Sequence, residues 1–323
     1  MSIRASKIIR VGTLAVALTG CSGGAGGTET DASSSGGSSS GASASEGTAG
    51  TTTGMTTGST GATSGGTSGG MSSGGETSGS SGGVELEPFS FFVTSLKAMQ
   101  ELSDDPLGFG GDLRFGEVGP GAGLRGADKI CAAIAESSMP GSSVKEWRAF
   151  LSVTADAEGK QVNAIDRIGE GPWYDRLGRL VAMTRADLVH DRPLGADPAI
   201  VNDLPNEWGI PNRRPDPNLP EEDNHHMLTG STMQGTLFGP KETCLDWTSA
   251  MGDRDLEGRP QVGLAFPRPG GMESMAKNWM SALLESGCAP GVNLIEMGPP
   301  QPDQTTVGSG GGYGGFYCFA LSP

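Results

Sequence analysis

The sequence predicts a single α+β domain, cross-linked by disulfides and carried behind a long flexible linker. Three observations lead there. Residues 22–83 are Gly, Ser, Thr and Ala with almost no large apolar side chains, so this stretch has no burial to offset its backbone entropy. Four of the five cysteines lie beyond that tract, at Cys131, Cys244, Cys288 and Cys318. From Phe89 onward, short apolar runs of helical and strand period alternate with Gly- and Pro-rich loops. A chain of 323 residues could hold two domains by size alone. With the tract removed, one domain over residues 85–323 remains.

The N-terminus explains the address. Arg4, Lys7 and Arg10 precede an apolar run from Val11 to Leu18 that is too short to span a bilayer. Leu18-Thr19-Gly20-Cys21 follows and resembles the bacterial lipobox. The resemblance implies a signal peptide over residues 1–20, cleavage before Cys21 and a lipid on its sulfur. Two or more acyl chains hold a protein stably where one would not. The expected location is the bacterial cell envelope, on the outer membrane or cell surface. The linker over residues 21–84 then supplies reach, roughly 45 Å by the square-root law for Gly/Ser chains. Within it, Gly66-Thr67-Ser68-Gly69-Gly70 fits the serine-hydrolase Gly-x-Ser-x-Gly pattern, but that pattern has meaning only on a strand-to-helix turn.

Removing the lipidated cysteine leaves an even number in an oxidising compartment. Four cysteines allow three pairings, and composition does not choose among them. The formal charge of −15 excludes phosphate-backbone recognition of nucleic acid, which needs clustered Lys and Arg.

Along the domain, Phe91-Phe92-Val93-Thr94-Ser95 is a β-type run for a buried first strand, and Gly108–Gly123 is punctuated like a long loop. Ala127, Ile130, Cys131 and Ile134 recur at helical spacing, with Asp128 placed in the first turn, and the helix should stop before Pro140-Gly141. Trp147, Ala149, Leu151 and Val153 alternate with Arg148, Phe150 and Ser152 as a half-buried strand does. Short strands are expected at Trp173-Tyr174 and Leu180-Val181-Ala182. Thr184–Asn224 reads as a long loop with Ala199-Ile200-Val201 and Trp208-Gly209-Ile210 as its apolar footholds. Met227-Leu228-Thr229-Gly230 restarts a strand, Trp247 falls in another, and Met275, Trp279, Leu283 and Leu284 line one face of a short helix leading to Cys288.

The ordered set Val93-Thr94-Ser95, Gly126 to Cys131, Trp147 to Ser152, Gly171-Pro172, Leu228-Thr229-Gly230, Cys244-x-x-Trp247-Thr248-Ser249, Cys288 and Tyr317-Cys318-Phe319 resembles bacterial secreted domains of the C-type-lectin-like and endostatin-like superfamily. The resemblance covers the chain from Phe89 onward. It implies an α+β domain whose terminal strands pair, with long irregular loops on one side. It also implies the bridges Cys131 with Cys318 and Cys244 with Cys288.

Candidate chemistry is sparse. Gln301-Pro302-Asp303 looks like the calcium tripeptide of galactose-type lectins, but it follows Cys288 and no Trp-Asn-Asp lies downstream, so a Pro-rich turn accounts for it. Asp253-x-Asp255-x-Glu257-Gly258 matches the first half of an EF-hand loop, with Leu264 where the twelfth-position acid belongs. Asp253, Asp255 and Glu257 are the candidate calcium ligands. His225 and His226 adjoin Glu221, Glu222 and Asp223, yet neighbours on a strand point to opposite faces, so one of them would need a remote acid to form a metal site. Gly308–Gly315 lacks the Lys-Ser/Thr of a phosphate loop and reads as a close approach of the last strand to its neighbours. Trp173, Trp208 and Tyr313 offer stacking faces for a sugar. The expectation is a non-catalytic binding module for a carbohydrate or protein, with Trp208, Asn224, His225, Gln301, Asp303 and Tyr313 as candidate ligand residues. A polysaccharide hydrolase using Glu222 or Asp223, and a purely structural envelope protein, are the alternatives.

Overall fold

The structure, a computed structural model, describes residues 86–211, 226–267, 277–295 and 299–323. The signal, Cys21, the linker and Met275 lie outside them. The domain is α+β and mixed in order. Its main sheet runs β1-β8-β5-β6-β7, with β2 also on β8. The strands are β1 Phe91–Val93, β2 Trp147–Ala149, β5 His226–Leu228, β6 Gln261–Leu264, β7 Leu283–Leu284 and β8 Gly315–Ala320, while β3 Trp173–Tyr174 and β4 Leu180–Ala182 form a separate hairpin. Among the described residues no helix is long and apolar enough to cross a membrane.

β8 is the centre. All six of its residues are buried. β1 runs antiparallel along one edge, with Phe92 opposite Cys318. β2, antiparallel, pairs Ala149 with the same Cys318. β5 continues that second edge as a parallel partner of Gly315 and Phe316. The rings of Phe150 and Trp279 pack on Tyr317, at centroid distances of 6.5 and 5.1 Å, and Phe319 packs on Trp279 at 6.1 Å. Each fully buried ring of this size is worth about 1.5–3 kcal/mol. The same packing explains why the strand expected over Trp147–Val153 is cut to β2. Phe150 and Ser152, assigned to a wet face by alternation, are both buried, because rings cover one and the hydroxyl of Ser231 meets the other at 2.8 Å.

Helix α1, Leu96–Ser103, is absent from the sequence reading; Ser95 caps it by accepting from the Ala98 amide. Helix α2, Ala122–Ser138, stops where Pro140-Gly141 predicts but begins before Gly126. Asp128 is therefore mid-helix, where its carboxylate accepts from the Ala149 amide at 2.9 Å and pairs with Arg167 at 2.8 Å. The early turns look like loop in sequence because glycine is required there. A Cβ on Gly123 would lie 2.1 Å from the Asp246 carbonyl oxygen. Cys131 on α2 and Cys318 on β8 are joined, as are Cys244 and Cys288. With sequence separations of 187 and 44, the chain-entropy model gives about 5 and 4 kcal/mol as upper values.

The stretch from Cys244 is not a strand. Cys244, Leu245, Asp246 and Trp247 all have positive φ, between 50° and 62°, forming one left-handed turn. The expected helix through Trp279 and Leu284 is also absent: Leu283–Leu284 is β7, antiparallel to β6. Two further short α-helices are α3 Arg185–Leu188, with a Thr184/Asp187 capping box, and α4 Arg254–Glu257.

Left-handed backbone costs an L-residue about 1–2 kcal/mol, and Leu245 leaves 47% of its surface exposed. Leu245→Gly should therefore raise the urea midpoint, by less than the equivalent of about 1 kcal/mol once the buried half of the side chain is given up; a fall would show that this burial outweighs the strain.

Candidate functional site

Two tight turns set side by side bring three exposed apolar side chains together, Leu177, Trp208 and Ile210. In the β3–β4 turn, the Asp175 carboxylate accepts from the amides of Leu177 and Arg179 at 3.0 and 2.8 Å and from the Arg179 side chain at 2.7 Å. In the second turn, the Asn206 side-chain oxygen accepts from the amides of Trp208 and Ile210 at 3.0 and 3.1 Å. Both are Asx-type turns, in which a short acid or amide closes the backbone on itself. Gly209 joins them: its φ is +73°, and a Cβ there would lie 2.6 Å from Leu177 Cγ. Its carbonyl accepts from Arg179 at 2.6 Å. Leu177, Trp208 and Ile210 stand out of this frame 63%, 50% and 55% exposed. Trp208 and Ile210 are therefore not footholds of the long loop, whereas Ile200 is, fully buried together with Leu204.

The Trp208 turn is fixed from below. The Val93 amide donates to the Pro205 carbonyl at 2.8 Å. Glu207, buried beside an exposed tryptophan, accepts from the Ser95 hydroxyl at 2.6 Å and the Ser95 amide at 3.1 Å, and its carbonyl accepts from the Ser138 hydroxyl. The turn is thereby tied to β1, α1 and α2 at once. Burial holds the Glu207 carboxyl above the usual glutamate range, against the pull of the Ser95 hydrogen bonds. The arginines nearby are already occupied: Arg176 pairs with Glu87 at 2.8 Å and lies over the Phe89 ring.

The other candidates fare differently. Tyr313 is fully buried, and its hydroxyl donates to the Thr94 carbonyl at 2.5 Å, so it presents no stacking face. Trp173 is core as well. Gln301 and Asp303 sit exposed on a turn, far in role from any calcium cage. Asn224, His225, Glu222 and Asp223 lie outside the described residues. The EF-hand-like run is helix α4 with its cap. Asp253 accepts from the amides of Asp255 and Leu256. Glu257 is buried and accepts from the amides of Met251, Gly252 and Asp253 and from the Ser249 hydroxyl. Two of the three carboxylates, Asp253 and Glu257, thus accept hydrogen bonds from the chain. Among the described residues no group of three or more His, Cys, Asp or Glu is placed to hold a metal ion.

His226 does find a remote acid. It opens β5, fully buried against Glu285, whose second oxygen accepts from the Ser309 hydroxyl at 2.6 Å and the Gly310 amide at 2.7 Å. The order is wrong for a serine nucleophile. There the hydroxyl must bond the imidazole and the acid must sit behind it, whereas here Ser309 bonds the acid. The cluster ties β5, the chain after β7 and the glycine-rich approach to β8 together.

No protein-family model matches the chain, and no curated protein matches it. The site therefore rests on its own geometry. Glu207 was invisible in the sequence because nothing local marks it; its partner Ser95 is 112 residues away.

The Glu207 carboxyl gives a signed test. Its folded pKa is raised, so the folded state keeps a proton that the unfolded chain releases, and stability falls as pH climbs upward from the ordinary glutamate range. Glu207→Gln should be more stable than the parent at pH 7 and lose that advantage by pH 4, read as urea midpoints. An advantage independent of pH would place the effect elsewhere.

Proposed function

We propose that the chain is a lipid-anchored, non-catalytic binding module of the bacterial cell envelope, built on a C-type-lectin-like scaffold, that takes a protein or carbohydrate ligand on the Leu177–Trp208–Ile210 face. The observation that carries the reading is a rigidly held, half-exposed tryptophan flanked by two exposed aliphatics. The core does not need these side chains exposed. Exposed apolar patches on soluble domains mark interaction sites, and truncation-sensitive positions of interfaces are enriched in Trp and Arg. Preorganisation of both turns lowers the ordering cost of binding.

Two features support the scaffold. The terminal strands β1 and β8 pair, and the four cysteines join as the resemblance implies. The Leu18-Thr19-Gly20-Cys21 motif supports the membrane address. The flanking Leu177 and Ile210 favour a protein ligand, since branched aliphatics add nothing to a pyranose stack. The exposed indole by itself is what favours a sugar.

The test pairs the full-length protein with Trp208→Ala in envelope pull-downs and on a glycan array. Binding that falls at least tenfold in Trp208→Ala, with an unchanged thermal midpoint, is the expected outcome, and the assay that registers the loss names the ligand class. A ligand held equally by both proteins would remove this face from the function.

A further inference from the structure

We propose that the groove beside β7 is a second ligand site, one that takes a small carboxylate with an apolar body. It has a volume of about 590 Å³, inside the range of small-molecule clefts, about 300–1,000 Å³. One wall is β7, the edge strand of the main sheet, presenting Leu283 and Leu284; the other is the turn after β5, presenting Met233 and Phe238. Leu283 and Leu284 are half-buried and Phe238 is 47% exposed, so the groove is apolar and reachable.

Its polar lining is what selects an anion. Gln261 donates to Ser281 at 3.0 Å, so these two largely satisfy each other. Arg259 is different. Its Nε donates to the Glu285 carbonyl at 2.8 Å and its Nη2 to the Leu284 carbonyl at 3.0 Å. These bonds fix the guanidinium plane and leave Nη1 without a hydrogen-bond partner among the described residues. Among the described residues no carboxylate lines the groove; the Glu285 side chain is turned to His226, Ser309 and Gly310. Burial lowers the Arg259 pKa, the nearby Arg254 charge acts in the same sense, and the Glu285 charge acts against both. A planar cation, half-buried and oriented by two backbone carbonyls at the rim of an apolar cleft, matches a carboxylate on an alkyl or aryl body. An alcohol of the same shape would fill the cleft without using the charge, and an amine would be repelled by it.

This site is separate from the Trp208 face, and its test does not depend on that reading. The full-length protein is titrated calorimetrically with octanoate, octanol and octylamine. Octanoate should bind at least tenfold more tightly than octanol, with no uptake of octylamine. Arg259→Gln should bring octanoate to the level of octanol and leave octanol unchanged, and Trp208→Ala should change neither. Octanoate and octanol binding alike, no octanoate uptake, or a preference that survives Arg259→Gln would overturn the proposal. If Arg259→Gln fails to fold for want of its carbonyl contacts, Phe238→Asp at its half-exposed position decides: lost octanoate binding with an unchanged thermal midpoint supports the groove, and retained binding overturns it.

Discussion

The burial of β8 is the constraint on which the domain depends. A six-residue strand with every side chain out of water needs partners along both edges, and it takes β1, β2 and β5 for that purpose. Because β1 opens the described domain and β8 nearly closes it, the intervening chain must leave and return to the same place. It does so mostly as loops. Few of those loops have ladders of their own, so buried polar groups hold them. Arg192 is the clearest case. Its guanidinium donates to the carbonyls of Val201, Leu264 and Ala265, and burial lowers its pKa to about 10. One half-buried cation thus does for the long loop and the end of β6 what a strand would do elsewhere. Glu207, Asp175 and Glu257 act in the same manner with amides in place of carbonyls.

The left-handed turn at Cys244–Trp247 is the point of greatest local cost. Four consecutive L-residues there oppose their own preference by several kcal/mol in total, at about 1–2 kcal/mol each. The surroundings hold it from every side. Asp246 accepts from the Thr154 amide and hydroxyl at 2.7 and 2.6 Å, the Trp247 indole donates to the Ser152 carbonyl at 3.0 Å, and the Leu113 amide donates to the Trp247 carbonyl at 3.0 Å. The bridge to Cys288 closes the arrangement. The turn thereby joins the segment before α2, the chain after β2 and the segment after β7.

Sequence periodicity reveals elements whose neighbours are regular. Phe91–Val93 is legible because a contiguous apolar run buried on both faces needs no alternation, and Ala127, Ile130, Cys131 and Ile134 are legible because α2 has one wet face. It fails where tertiary contacts override the period. Phe150 is inward although alternation points it outward, Leu283 and Leu284 belong to a strand although their spacing from Trp279 is helical, and Cys244–Trp247 adopts a backbone that no propensity scale favours for those residues. The site is half legible. Trp208 is recognisable as an exposed aromatic in a polar loop. Its neighbour Leu177 is brought beside it only by the β3–β4 hairpin, and Glu207, which fixes it, is bonded to a residue across the domain. Tyr313, by contrast, is drawn into the core by the approach to β8 despite its glycine-rich, loop-like context.

The functional account requires the Trp208 turn to be as ordered as the sheet it is tied to. A loop that ordered only on binding would cost the interaction much of its free energy. Amide hydrogen exchange across a urea series measures this directly. The account predicts that the amides of Asn206 and Gly209, bonded at 2.9 Å within the turn, and of Val93 beneath it, are protected and lose protection in the same urea range as those of β8. Exchange of Asn206 and Gly209 at the rate of unstructured chain, while β8 stays protected, would contradict a preformed face.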